Sequence, residues 1–166
     1  MFYEEILGCL YKEKIRFAVA GGVALVLHGV VRLTIDLDLI VYLKEDNIEK
    51  FLSVLKDLGY KSKLPVAEKD FLDSKVREKW RDEKNMVVFS FYHPDKKINL
   101  IDVFIGEQIP FDEIEKELVW FNAGKFKIPV ISKKHLKLLK QISGRPQDIA
   151  DIEGLEALEQ EKDKNV

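Results

Sequence analysis

The chain has 166 residues, 46% of them hydrophobic and 34% charged, with 27 Lys and Arg against 29 Asp and Glu for a net charge of −2. That length supports a real core and a single domain, the near-balanced charge excludes a protein that coats nucleic acid indiscriminately, and one cysteine, Cys9, excludes an internal disulfide and a thiolate zinc cluster. Every apolar run is interrupted before it reaches membrane-spanning length, and the start Met-Phe-Tyr-Glu-Glu lacks a basic secretory leader, so a cytoplasmic protein with no membrane partner is expected.

Residues 3 to 14 are expected to form a helix with Ile6, Leu7 and Leu10 as its apolar stripe, followed by a strand near 16 to 20. That strand runs into Gly21-Gly22, which opens a mostly apolar helix ending near His28. Glycines at a helix start let the backbone turn tightly and approach a ligand, and the unpaired N–H groups there form an anion seat. An ordinary tight turn is the plainer reading of the pair taken alone. His28 is expected to pack in the helix rather than to bind.

From residue 33 to 43 the odd positions Ile35, Leu37, Leu39, Val41 and Leu43 are all apolar, the two-residue period of a strand whose one face enters a core. Asp36 and Asp38 then project together from the other face, with Thr34 beside them. Like charges that close repel unless a cation sits between them. A divalent cation held by hard oxygens, Mg²⁺ above all, is the simplest reason to build such a pair.

Asn47 is placed to cap a helix running through Leu58, which Gly59 ends. The charged stretch 68 to 84, either helical or partly mobile, is expected to interrupt the sheet. Met86 to Tyr92 and Ile98 to Ile105 read as a hairpin around His93-Pro94-Asp95-Lys96. Asp102, the only acid in its strand, reaches the first two acids if that strand pairs next to theirs. After Pro110 come a helix at 111 to 119 and a short segment, Lys125 to Val130. Ser132 caps a helix with Leu136, Leu139 and Ile142 on its buried side, Ser143-Gly144 stops it, and Pro146 opens the last helix. Lys133, Lys137 and Lys140 share one helical face, with Lys134 and Arg145 near in sequence. That stripe either tracks a triphosphate or RNA backbone or is simply solvated. The pattern is α/β (α+β), a mixed sheet flanked by helices, in one domain: a core over 1–108, a helical portion over 109–158, and a polar tail over 159–166 that is expected to fray.

Gly21-Gly22, then Arg32-x-Thr34-x-Asp36-x-Asp38, then Asp102 on a later strand, resembles the nucleotidyltransferase superfamily of the DNA polymerase β type. The form Gly-Gly-x-Ala-x-x-x-His-Gly is similar to a small prokaryotic branch that includes abortive-infection toxin-type nucleotidyltransferases. Lys140 followed by Gly144-Arg145-Pro146-Gln147-Asp148-Ile149-Ala150-Asp151 resembles the tail of that branch, so the likeness spans residues 17 to 152. It implies transfer of a nucleoside monophosphate from an NTP to a hydroxyl of RNA (such as tRNA) or of a protein. Mg²⁺ or Mn²⁺ would serve as cofactor, and a toxin–antitoxin or phage-defence setting would add a cognate toxin or antitoxin as partner. The implied metal and catalytic residues are Asp36, Asp38 and Asp102; the implied nucleotide-binding residues are Gly21, Gly22, Arg32, Thr34, Lys140 and Arg145. Gly22 stands where many members carry serine, which removes a hydroxyl contact to phosphate. Two rivals are a non-catalytic nucleotide-binding antitoxin or regulatory module, and a haloacid-dehalogenase-type phosphatase using Asp36 or Asp38. Against the phosphatase, Leu39-Ile40 stands where Gly-Thr would follow the acids.

Overall fold

A computed structural model describes residues 3–165. The first helix, α1 (Glu4–Lys12), buries Ile6, Leu7 and Leu10, and delivers the chain to β1 (Phe17–Ala20), whose four side chains are all buried. No loop separates β1 from α2 (Gly21–Leu27), because Gly21 takes φ +59° and reverses the chain within one residue. The helices α3 (Glu45–Asp57) and α4 (Ser74–Lys84) follow β2 (Leu37–Val41), with the short strand β3 (Lys61–Ser62) and a 3₁₀ turn (Glu68–Leu72) between them. Next come β4 (Val88–Tyr92), β5 (Leu100–Phe104), α5 (Phe111–Lys116), β6 (Val119–Ala123) and β7 (Phe126–Val130). Two helices, α6 (Lys133–Ser143) and α7 (Pro146–Lys164), complete the chain.

The strands form one seven-stranded mixed sheet in the order β3-β4-β5-β2-β1-β7-β6. β2 runs antiparallel to β1 and parallel to β5, and β5 is antiparallel to β4. Leu37, Leu39, Ile101 and Val103 are fully buried on one face of the central strands, which leaves the even positions of β2 and β5 to the other face. No helix among the described residues is long and apolar enough to cross a membrane.

Four expectations need correction. The strand carrying Asp38 begins at Leu37 rather than residue 33, since β1 ends at Ala20 opposite Asp38 and β5 begins only at Leu100. Residues 31–36 therefore extend beyond the sheet, and the start of the expected strand is exposed there, with Leu33 at 89% and Ile35, the first of the apolar row, at 56%. Asn47 does not cap α3. It is buried in the first turn, where its amide accepts from the Arg16 N–H (2.9 Å) and donates to the carbonyls of Arg16 (3.0 Å) and Tyr42 (2.9 Å). β6 lies where no strand was expected, its first residue falling at the end of the expected helix 111 to 119, which makes 109–158 more than helical; its side chains are mostly exposed because it is an edge strand, so no alternation marks it. The tail from Glu159 is helical rather than irregular: α7 continues to Lys164 with Lys162 and Lys164 favouring its C-terminal dipole and Lys137 bonded to Glu159 at 2.9 Å. Residues 1, 2 and 166 of the expected domain lie outside the described residues.

Candidate active site

Register brings the acids together. Ala20, Asp38, Asp102 and Ser90 occupy one row across β1, β2, β5 and β4, with Asp38 directly opposite Asp102 in the parallel ladder. Both carboxylates emerge on the face away from the buried leucines. Ser90 Oγ donates to Asp102 Oδ1 at 2.5 Å, a contact that follows from the pairing register and that no sequence motif signalled. Asp36 sits two residues before Asp38, just outside the strand, and shares the same cleft of about 660 Å³. That cleft is also lined by Gly21, Gly22, Arg32, Thr34, Lys140 and Arg145, so all nine residues singled out from the sequence meet there.

The two glycines are explained by what lies against them. A Cβ on Gly21 would overlap the Asp38 carboxylate, and one on Gly22 would overlap the Thr34 hydroxyl. Burial, then repulsion from Asp102 and Asp36, pushes the Asp38 carboxyl up to about 6, while Lys140 and a hydrogen bond from the Gly22 amide pull the other way. Burial and Asp102 also raise Asp36, with Lys63 opposing.

Crowded carboxylates whose charge is disfavoured fit a divalent cation, and hard oxygen donors fit Mg²⁺ or Mn²⁺. Among the described residues no group of three or more His, Cys, Asp or Glu side chains closes into a metal cage. The fit is therefore to an open site, in which the acids of the cleft are shared so that any one ion takes one or two of them, and substrate oxygens and water complete its shell.

The opposite wall is cationic, and its cations are already paired. Ser132 caps α6 by accepting from the His135 N–H, and the buried side of that helix carries Leu136, Leu139 and Lys140. Ile142, expected on that side, is half exposed and faces the cleft. Lys140 Nζ bonds Asp148 Oδ1 at 2.9 Å and Asp151 Oδ2 at 2.8 Å; these side chains are only 7%, 1% and 7% exposed. Arg145 Nε reaches Asp148 at 2.9 Å as part of a capping box at the start of α7, and Arg32 Nη1 bonds Asp151. Although burial works against its charge, Asp148 is held well below the usual carboxylate range by hydrogen bonds from Arg145, Lys140 and Ser143. Sequence reasoning did not place Asp148 and Asp151 in the site. Their signal was a lysine on an apolar helix face, which demands a buried acid, and two acids one turn apart on the next helix.

Two more members of the basic stripe are paired away from the cleft, Lys134 with Glu117 at 2.7 Å and Lys137 with Glu159. His28 packs, as expected, edge-on to Phe121 with Nε2 at 2.8 Å from the Ile131 carbonyl.

Neither a protein-family model nor a curated protein sequence matches the chain. Solved structures do match in shape. The lincosamide antibiotic adenylyltransferase LnuA bound to lincomycin superposes with a TM-score of 0.60 at 20% identity, covering 93% of this chain and 94% of that one. ANT(2")-Ia in complex with adenylyl-2"-tobramycin gives 0.59 at 13% identity, covering 96% and 88%. An antigenic nucleotidyltransferase-like protein from Paracoccidioides brasiliensis gives 0.56 at 18% identity, covering 92% and 72%. The chain shares its fold with these nucleotidyltransferases.

Proposed function

We propose that this protein is a metal-dependent nucleotidyltransferase that moves a nucleoside monophosphate from an NTP to a hydroxyl and releases pyrophosphate. The observation that carries this reading is the register pairing of Asp38 with Asp102, with Asp36 in the same cleft and the Gly21-Gly22 turn against Asp38. Asp36, Asp38 and Asp102 would hold Mg²⁺ or Mn²⁺, which when bound supplies positive charge against the oxygens of the reacting phosphate. The hydroxyl oxygen attacks the α-phosphorus and the bond to the bridging oxygen of the leaving pyrophosphate breaks with its electron pair. Asp102, with Oδ1 held by Ser90, keeps Oδ2 for the proton of the incoming hydroxyl. Arg32, Lys140 and Arg145 face the triphosphate from the opposite wall, and Thr34 fills the space that Gly22 leaves.

The position of the acids argues against the phosphatase. Asp36 and Asp38 lie at the start of β2, whereas ligand sites of parallel α/β sheets form beyond the carboxyl ends of strands. The acceptor is a hydroxyl of RNA such as tRNA, or of a protein, in the toxin–antitoxin setting that the motifs imply; the structural neighbours add small-molecule antibiotics as a class to test. Incubation with each α-labelled NTP and Mg²⁺, alone, with total RNA, and with lincomycin or tobramycin, tests the reading. Label on any acceptor, or on the protein itself, is the expected result. NTP binding without turnover would leave a regulatory module instead, and free phosphate release alone would restore the phosphatase.

A further inference from the structure

We infer that Asp151, assisted by Asp148, is a positioning residue that presents Arg32 and Lys140 as a pair to the triphosphate; this rests on the nucleotidyl-transfer reading. The Asp151 carboxylate is shared. Its Oδ2 accepts from Lys140 Nζ at 2.8 Å and also from Arg32 Nη1. One buried oxygen therefore fixes the distance between two cations that come from opposite ends of the chain.

Each cation keeps a donor in reserve. A lysine ammonium has three N–H donors, and those of Lys140 reach two acceptors, Asp148 and Asp151, while the residue lines the cleft. Arg32 Nε is buried and has no hydrogen-bond partner among the described residues. An unsatisfied buried donor is costly to leave, and an anionic oxygen in the cleft would satisfy it. The position of Arg32 also depends on this contact, because residues 31–36 have no neighbouring strand to hold them.

Stability is a poor reason to keep such a network. Buried ion pairs repay their desolvation only with good geometry, and well-packed apolar groups often do as well. Placement of both cations at the wall of one cleft is what a phosphate seat requires.

The test uses the full chain and compares binding of each NTP with binding of its monophosphate in Mg²⁺, by calorimetry, alongside steady-state pyrophosphate release. Supporting residues that orient a ligand group typically matter by about ten- to a hundred-fold. Asp151→Asn is expected to raise the NTP KM about tenfold or more, with kcat changed far less and monophosphate affinity unaltered. Asp151→Glu, which keeps the buried charge and shifts the carboxylate by one methylene, is expected to show the same selective loss and serves if the asparagine variant fails to fold. If the wild type does not prefer triphosphate over monophosphate, the nucleotidyl-transfer reading falls and this inference with it. If the wild type shows that preference and both variants retain it, Asp151 is structural and only this inference is overturned.

Discussion

The Asp38 carboxylate occupies the space that a side chain on Gly21 would need. A single glycine thus both turns the chain from strand to helix, at φ +59°, and leaves room for an acid at the floor of the cleft. Gly21→Ala should lower stability by about 1–3 kcal/mol, the range for strain at positive φ, and displace Asp38; denaturant melts and Mn²⁺ binding would register the two effects separately. Restoring the serine common at the next position carries the same difficulty, since it would meet Thr34. Gly22→Ser is expected to reduce nucleotide turnover, and adding Thr34→Ala is expected to recover part of it. Recovery without the second change would show that Thr34 yields freely.

Asp38→Asn should abolish metal-dependent NTP turnover without loss of stability. The folded carboxyl stands at about 6 against an ordinary 3.8, so the folded state binds more protons than the unfolded chain between those values. Stability from this group therefore falls as pH rises from about 4 to 6 and is flat above. Equilibrium melts of the metal-free protein should show the asparagine variant at neutral pH as stable as the wild type or more so, by about 1–3 kcal/mol. A clear loss of stability would mean that Asp38 serves the fold instead.

The opposite sign applies at Asp148. Its folded value is depressed below 3.8, so its contribution is complete above that pH and is lost as pH falls toward the folded value. Asp148→Asn leaves Lys140 and Arg145 short of an anion and should destabilise the protein by about 3 kcal/mol at neutral pH. The acid limb of the stability curve should flatten in the variant; an unchanged limb would show that other carboxylates govern it.

Leu33 makes a sharp test of the boundary of β2. Buried in a core, its truncation would cost about 2–5 kcal/mol. Exposed at 89%, Leu33→Ser should change stability by no more than about 0.5 kcal/mol, as thermal melts would show.

Much of this architecture was legible because local signals and tertiary context agreed. Ser132, Gly144 and Pro146 mark their helix boundaries through caps and backbone geometry that need no distant partner. The two acids and the glycine pair were found because spacing and turn chemistry are local. What was hidden depended on neighbours. The alternation around Ile35 is genuine, yet residues 31–36 lie past the last rung of the sheet, so the same pattern faces solvent. Ser90 became visible only through strand register, and the bonds of Asp148 and Asp151 to Lys140 only through the packing of α6 on α7. The edge strand β6 carries too little buried surface to leave a periodic mark.

Arg32 and Asp151 are bonded across 119 positions of chain. Long loops close slowly in folding and late in synthesis. During synthesis the clamp between Arg32 and Lys140 cannot form before α7, which supplies Asp151, has emerged. A chain stopped after β7 would accordingly lack Lys140, Asp148 and Asp151, and with them the cationic wall of the cleft.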